Sequence, residues 1–196
     1  IKTAKAKPVK GKAVKKPIRK RAQAAAVKPL LKVSNAAADK ASLPAGVRKA
    51  ALPAFVKPCL ATLADKAPDS GNWIHEIKFD GYRLQARLDS GKVKLLTRNG
   101  LDWTRKFPAV AKAVTKLKVK QALIDGELVV DDPKGVSSFS LLQQELSSGR
   151  QDRLVFYVFD LMYLDGADLR QLPLTDRKDA LAKLLENAPA SGALRL

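Results

Sequence analysis

The spacing of apolar residues from residue 55 onward predicts a domain of short strands and a few helices. Alternating or β-rich runs predict strands at 73–79, 82–88, 92–97, 122–130, 154–163 and 193–196. Helical spacing predicts helices at 107–117, 139–146 and 175–187, the last with Thr175 as its N-cap. The run Asp89-Ser90-Gly91 favours a tight hairpin. Because strands outnumber helices without regular βαβ alternation, the expected fold class is α+β with antiparallel pairing.

Composition divides the chain at about residue 55. Residues 1–54 hold 15 Lys/Arg, the single acid Asp39 and no aromatic residue, whereas residues 55–196 hold 22 Lys/Arg and 18 Asp/Glu. A segment built mainly from Lys, Ala, Pro and Val cannot bury enough apolar surface to offset its ordering entropy. The sequence therefore predicts a disordered basic linker or arm over 1–54 and a folded domain over 55–196.

The basic arm attracts polyanions, of which nucleic acid is the commonest. Its alternatives are a plain interdomain linker or, from the run KKPIRKR, a nuclear targeting signal. Cys59 is the single cysteine, which excludes a disulfide framework and favours a reducing compartment. No apolar run reaches transmembrane length, so no membrane partner is expected. The chain begins at Ile1, which indicates a piece of a longer protein.

The stretch HEIKFDGYR, residues 75–83, carries the most suggestive chemistry. On a strand, Glu76, Lys78 and Asp80 share one face, and the sole histidine, His75, falls on the opposite, apolar face, where a packed core position is expected. The plain alternative is a solvated face of compensating charges. Gly81 follows directly and suits a turn or a close backbone approach.

A lysine between carboxylates, with Arg83 returning near the same face, forms a pocket suited to a polyphosphate. Lysine also acts as a nucleophile when its amine is neutral. Because the reference pKa of lysine is about 10.4, the amine loses its proton near pH 7 only through desolvation or nearby cations.

Lys78-x-Asp80-Gly81-x-Arg83 resembles the KxDGxR signature of the covalent nucleotidyltransferases, which comprise DNA ligases, RNA ligases and mRNA capping enzymes. Further segments resemble the family's motifs in the same order: LTRNG at 96–100, IDGE at 124–127 and YVFDLMYLDG at 157–166. The runs TRNGLDWT, FSLLQ and FDLMYLDGADLRQLPL resemble the adenylation domain of ATP-dependent DNA ligases of the bacterial end-joining ligase D type. The resemblance covers about 55–196.

The resemblance implies an antiparallel-sheet-rich nucleotidyltransferase domain, ATP-grasp-like, and a role for each matching residue. Lys78 would attack the α-phosphate of ATP and carry AMP, and Asp80 would support that lysine or a metal ion. Glu76 would contact the adenine amino group, Arg83 and Glu127 the ribose. Phe159 would stack on adenine, with Tyr157, otherwise a core aromatic, as the alternative. Arg98 would bind the DNA backbone.

The implied cofactors are ATP and Mg²⁺, or Mn²⁺, with no metal ligand assigned. The implied partners are nicked or broken double-stranded DNA, a Ku-type end-binding protein and fused neighbouring domains, in the bacterial cytoplasm near the nucleoid. Within the superfamily, an RNA ligase or capping enzyme is the alternative, although TRNGLDWT and FDLMYLDG favour DNA. From a different class, the chain could be a non-catalytic nucleic-acid-binding module.

The chain departs from the family pattern after Gly166. The family continues with an EGxVxK element, a KxK pair and an oligonucleotide-binding barrel, whereas the lysines after Gly166 are Lys178 and Lys183 only. The expectation is an N-terminal portion of the adenylation domain, truncated before those two motifs. The missing lysines would hold the α-phosphate, so the expectation for the chain alone is weak activity or none.

Overall fold

The computed structural model describes residues 47–69, 71, 73–186 and 192–196. The strands are β1 Arg48–Lys49, β2 Tyr82–Asp89, β3 Lys92–Thr97, β4 Gln121–Val129, β5 Val155–Leu164, β6 Ala167–Asp168 and β7 Leu194–Arg195. The helices are α1 Pro108–Val114, α2 Phe139–Ser147 and α3 Leu174–Leu185, with a 3₁₀ turn at Thr104–Lys106. One sheet holds the strands in the order β1-β6-β5-β4-β2-β3, all antiparallel, and β7 adds to β5 in parallel.

The centre of the sheet confirms the strands predicted from 82 to 164. Asp89 pairs with Lys92, which leaves Ser90 and Gly91 as a two-residue turn with positive φ angles of 49° and 81°. Such angles fit the right-handed twist of a hairpin, and glycine adopts them without strain. The predicted hairpin is therefore confirmed.

The sheet has two chemically different sides. On the core face, β2, β4 and β5 present apolar side chains that pack with residues of α1, α2 and α3 into the main hydrophobic cluster; examples are Leu84, Ala86, Ile124, Val158 and Leu161. On the opposite side, called the site face, β2 and β4 present polar side chains that alternate with that core. The alternation follows the period of two of a β-strand.

The strand predicted at 73–79 is wrong. Residues 73–80 have no strand assignment, and most of their side chains are exposed, including His75, which was expected in the core. Ile77 is 77% exposed. A strand requires a neighbour for its backbone groups, and the described residues supply none to this stretch. Glu76, Lys78 and Asp80 therefore do not share a strand face.

The remaining boundaries differ in two places. Residues 47–54, assigned to the arm from the sequence, contact the sheet: β1 pairs with β6, and the Tyr163 hydroxyl donates to the Ala50 carbonyl at 2.9 Å. The predicted arm from 1 to 46 lies outside the described residues. Thr175 is not the N-cap of α3, because the N-cap is Pro173, whose ring fixes the backbone two residues earlier. Within the described ranges, no helix combines the length and apolarity needed to cross a bilayer.

Candidate active site

A buried ion pair lies at the centre of the site face. Arg83 Nε and Nη2 donate to the two carboxylate oxygens of Asp125 at 3.1 and 2.8 Å. Asp125 is 3% exposed. Burial raises the pKa of Asp125 and the guanidinium opposes that rise, while the hydrogen bond to Asp125 raises the pKa of Arg83. The planar two-point geometry fixes the orientation of Arg83 on the sheet.

Glu127 lies opposite Arg83 in the β2–β4 register and has a strongly shifted carboxyl group. Burial raises the pKa of Glu127 to about 7, against the lowering influence of Arg83, the Gly81 backbone N–H and Lys78. Nearby Asp125 adds to the rise. The structure thus brings Glu127, Arg83 and Lys78 into one electrostatic neighbourhood.

An aromatic ring borders this neighbourhood because β5 contains an extra residue. Asp125 pairs with Asp160 and Gly126 with Val158, so Phe159 has no partner on β4. Such a bulge turns two consecutive side chains toward the same face. The Phe159 ring consequently lies under Arg83, whose Cζ is 4.9 Å from the ring centroid. The ring is only partly buried.

The segment that carries Lys78 is attached to the domain by the two residues that follow Lys78. Phe79 stacks on Tyr157 with 4.5 Å between ring centroids and 11° between the planes. Asp80 accepts a hydrogen bond from the Phe139 backbone N–H at 3.1 Å and donates its own N–H to Ser137 Oγ at 2.9 Å. A carboxylate at the start of a helix satisfies a free N–H and complements the helix dipole. The described contacts of Asp80 are therefore with the start of α2.

Glu76 approaches Phe159 from the other end of the segment. Its carboxylate forms an ion pair with Lys178 of α3, and the same ammonium donates to the Phe159 carbonyl at 3.1 Å. The sequence reasoning missed Lys178 and Ser137 as neighbours of the site. No local signal could have found them, because Lys178 lies 102 residues from Glu76 and Ser137 lies 57 residues from Asp80 along the chain.

The two remaining predicted residues are exposed. The charge of Lys78 lowers the pKa of Glu127, and within the described residues no hydrogen bond or ion pair holds the Lys78 amine. Arg98 lies in the turn after β3, where Thr97 Oγ1 accepts the Leu101 N–H at 3.1 Å. The structure thus brings Glu76, Arg83, Glu127 and Phe159 close to the segment of Lys78. It places Asp80 against the start of α2 and Arg98 in the turn after the edge strand β3.

A stretch of coil covers the other half of the site face. The Gln85 side chain accepts from the Val56 N–H at 3.0 Å and donates to the Val56 carbonyl. The side-chain amide of Gln85 thus satisfies both backbone groups of Val56, as a neighbouring strand otherwise would. Arg87 Nε donates to the Pro53 carbonyl at 3.0 Å. As far as the described residues go, the uncovered area of the site face is therefore the part around Arg83 and Glu127.

The described residues offer no group of three or more His, Cys, Asp or Glu side chains that could hold a metal ion. Mg²⁺ commonly keeps several waters and binds through one or two carboxylates together with substrate phosphates. The half-buried carboxylate of Glu127 beside Lys78 fits that second arrangement, in which the ion arrives with a nucleotide.

The shifted carboxyl group of Glu127 predicts a pH-dependent stability. The folded chain holds the carboxyl proton of Glu127 more tightly than the unfolded chain does. The contribution of this group to the free energy of unfolding is therefore fully present below the unfolded pKa of about 4.5 and is lost as the pH rises through about 7. The full shift corresponds to about 3 kcal/mol, and solvent screening of a half-exposed group reduces this to about 1 kcal/mol. We expect urea unfolding to show that loss between pH 5 and pH 8.

In Glu127→Gln, the loss of stability between pH 5 and pH 8 should disappear. The control Glu186→Gln neutralises an exposed glutamate at the end of α3 and should show the same loss as the parent. A pH dependence that survives unchanged in Glu127→Gln contradicts the assignment of the titration to this group.

Comparison with known proteins agrees with this arrangement. The family described as "ATP dependent DNA ligase domain" matches residues 56–194. The multifunctional non-homologous end joining protein LigD of Pseudomonas aeruginosa is 43% identical over 138 residues, which cover 70% of this chain and 16% of that protein. The multifunctional non-homologous end joining DNA repair protein LigD of Mycobacterium tuberculosis is 40% identical over 128 residues, or 65% of this chain and 16% of that protein.

The solved structures give the same answer. The crystal structure of the ligase domain of M. tuberculosis LigD matches with a TM-score of 0.52 and 37% identity, over 62% of this chain and 39% of that chain. The resemblance inferred from the motifs and the expected antiparallel-sheet-rich α+β fold are therefore confirmed. Since the family match extends over most of the sequence, the chain belongs to the ATP-dependent DNA ligase domain family.

Proposed function

We propose that the chain forms the nucleotide-binding part of an ATP-dependent DNA ligase that becomes adenylated on Lys78. The observation that carries the proposal is the convergence of Glu76, Arg83, Glu127 and Phe159 around the segment of Lys78. A partly exposed ring for a base, a fixed cation, a carboxyl group and a lysine amine are the groups that a nucleotide and its attack by an amine require.

The proposed reaction begins when the Lys78 amine attacks the α-phosphorus of ATP. A P–N bond forms, the bond to pyrophosphate breaks, and the amine proton passes to solvent. Mg²⁺, or Mn²⁺, bound to the nucleotide neutralises phosphate charge. Phe159 stacks on the adenine, Glu76 receives its amino group, and Arg83 and Glu127 contact the ribose. Because Asp80 and Phe79 are held by α2 and β5, the main-chain position of Lys78 is restricted.

AMP then passes to the 5′-phosphate of a broken strand, and a 3′-hydroxyl displaces AMP to close the strand. The relatives named above function in non-homologous end joining, which supports double-strand break repair as the context. We propose nicked or broken double-stranded DNA as the substrate, with Arg98 on its backbone. The proposed partners also include a Ku-type end-binding protein and fused neighbouring domains. The proposed location is the bacterial cytoplasm, in association with the nucleoid. The chain spans 16% of the length of these relatives.

The test is uptake of AMP by the intact chain. After incubation with ATP and Mg²⁺, intact-mass spectrometry should show a product heavier by one AMP moiety, and added pyrophosphate should reverse it. GTP at the same concentration should give much less product, since the proposed contact of Glu76 is with the adenine amino group. Absence of any adduct at high enzyme and ATP concentrations, with nucleic acid still bound, would favour a non-catalytic binding module.

A further inference from the structure

Lys178 of α3 contacts two different parts of the candidate site at once. Its ammonium forms an ion pair with Oε1 of Glu76 and donates to the Phe159 carbonyl at 3.1 Å. Glu76 is the residue proposed to receive the adenine amino group, and Phe159 carries the ring proposed to stack on the base. A single side chain outside the four sequence motifs therefore joins the two groups that would recognise adenine.

The contact with Phe159 is made where the sheet is irregular. Phe159 has no partner on β4, and β7 and β6 pair with β5 only at residues 156–157 and 163–164. A bulge leaves its extra residue outside the regular ladder, so another group must hold the main chain there. The Lys178 ammonium donates to the carbonyl of this residue, and it thereby restrains the backbone that carries the ring.

The preceding residue of α3 fixes the same bulge. Arg177 Nε and Nη2 donate to the Asp160 carboxylate at 2.8 and 3.2 Å, and Nη1 donates to the Leu172 carbonyl at 2.7 Å. A two-point contact between a guanidinium and a carboxylate restricts the orientation of both groups. Because Arg177 and Lys178 are consecutive, this contact also fixes the point of β5 over which the Lys178 side chain begins. The ammonium of Lys178 is therefore aimed by the fold.

Packing of α3 against the sheet explains only part of this arrangement. The buried Leu181 and the ion pair of Arg177 attach the helix to the domain without any contribution from Glu76. The Glu76 side chain is 45% exposed, and exposed ion pairs contribute little to stability. The main physical effect of the ion pair with Lys178 is thus on the orientation of the Glu76 carboxylate.

We infer that Lys178 is a positioning residue that sets the preference of the site for adenine over guanine. The inference rests on the proposed function for the role of Glu76. Since the ion pair uses Oε1, Oε2 is the oxygen left to accept an amino group. An ionised carboxylate is only an acceptor, and adenine presents an amino donor where guanine presents a carbonyl oxygen. A carboxylate held beside the stacking ring therefore accepts from adenine and repels guanine.

The experiment measures nucleotide binding by the full chain in the absence of transfer. The ligands are the α,β-methylene analogues of ATP and GTP, from which pyrophosphate cannot leave, and their affinities are obtained by isothermal titration calorimetry with Mg²⁺. Lys178→Met removes the amine and keeps an unbranched apolar side chain. It should lower the ratio of the affinity for the ATP analogue to that for the GTP analogue by about tenfold, which is within the range of a base contact.

Two further variants separate the amine from its surroundings. Lys178→Arg keeps a cation with several donors and should restore most of the parent ratio. Lys183→Met, which removes an exposed lysine from the same helix, should keep the parent ratio. A role in folding alone would lower both affinities and the urea midpoint together and leave the ratio unchanged, and that result overturns the inference. Lys178→Gln, whose amide can still donate to the Phe159 carbonyl, repeats the test with a smaller effect on the fold.

A double-variant cycle tests whether Lys178 acts through Glu76. In a Glu76→Ala background, Lys178→Met should not lower the affinity ratio further, because the carboxylate that the amine orients is gone. A further tenfold decrease in that background shows an effect independent of Glu76 and contradicts the inference.

Failure of the proposed function gives a different pattern. A parent chain that prefers the ATP analogue but takes up no AMP from ATP refutes adenylation, and the variants still test Lys178. A parent that takes up AMP but binds both analogues equally refutes the role of Lys178 and retains adenylation. A parent that binds neither analogue at millimolar concentration refutes both.

Discussion

Replacing Lys78 with alanine is expected to abolish transfer of AMP to the chain, to below the detection limit of intact-mass spectrometry. The charge of Lys78 acts on Glu127 at the site face, whereas the amine of Lys178, the other lysine that the described contacts place at the site, is held by the Glu76 carboxylate and the Phe159 carbonyl. Lys78→Arg should be equally inactive. Arginine keeps the positive charge, but its guanidinium does not lose a proton in proteins and cannot act as the nucleophile.

Lys92→Ala and Lys94→Ala serve as controls, since both remove an exposed lysine from the same sheet without touching the site. They should take up AMP at the parent rate. Undiminished labelling of Lys78→Ala would end the mechanism proposed above, and peptide mapping of the labelled product would then identify the true acceptor.

Gly81→Ala is expected to reduce both stability and AMP uptake. A Cβ atom at Gly81 would lie 2.1 Å from the Leu128 carbonyl oxygen and 2.8 Å from Val129 Cγ1. A backbone oxygen cannot rotate away as a side chain can, so the start of β2 must separate from β4. Overpacking of this kind costs about 1–3 kcal/mol. Because Gly81 adjoins Asp80, the same shift displaces the segment of Lys78, and we expect AMP uptake at saturating ATP to fall by at least about tenfold.

Gly71→Ala is the matched control, because a Cβ at that position meets no atom of the described residues within 4 Å. It should leave the urea midpoint and the rate of AMP uptake unchanged. Parent-like stability and activity in Gly81→Ala would show that β2 and β4 can separate freely at this point, and that the segment of Lys78 is not positioned through Gly81.

Much of the sheet could be predicted from the sequence because β2, β3 and β4 combine regular alternation with a recognisable turn. The close approach expected at Gly81 is also present, although the contact is with β4 rather than within a turn. Composition alone also showed where the acidic and basic residues concentrate. These features depend on neighbours in sequence, which is the information that a pattern contains.

The predicted strand at 73–79 was wrong for a physical reason. Alternating Glu76, Ile77 and Lys78 suit a strand, but a strand also needs a partner, and pairing depends on distant parts of the chain. The contacts of Asp80 with α2 and of Glu76 with α3 were likewise invisible, since each joins segments more than fifty residues apart. The motifs therefore selected residues of which the fold brings several close together, and they did not give the contacts that hold those residues.

The bulge at Phe159 has a counterpart three residues later on β5. Ile124 pairs with Leu161 and Leu123 with Tyr163, so Met162 is a second residue without a partner on β4. Each extra residue reverses the phase of the in–out alternation, and two reversals cancel. After the second bulge, the side chains of β5 are again on the faces expected from the start of the strand. Only Asp160, Leu161 and Met162, between the two bulges, have exchanged faces. Without this inversion Asp160 would point into the hydrophobic core; with it, the carboxylate pairs with Arg177 at 2.8 Å while the strand remains buried at both ends.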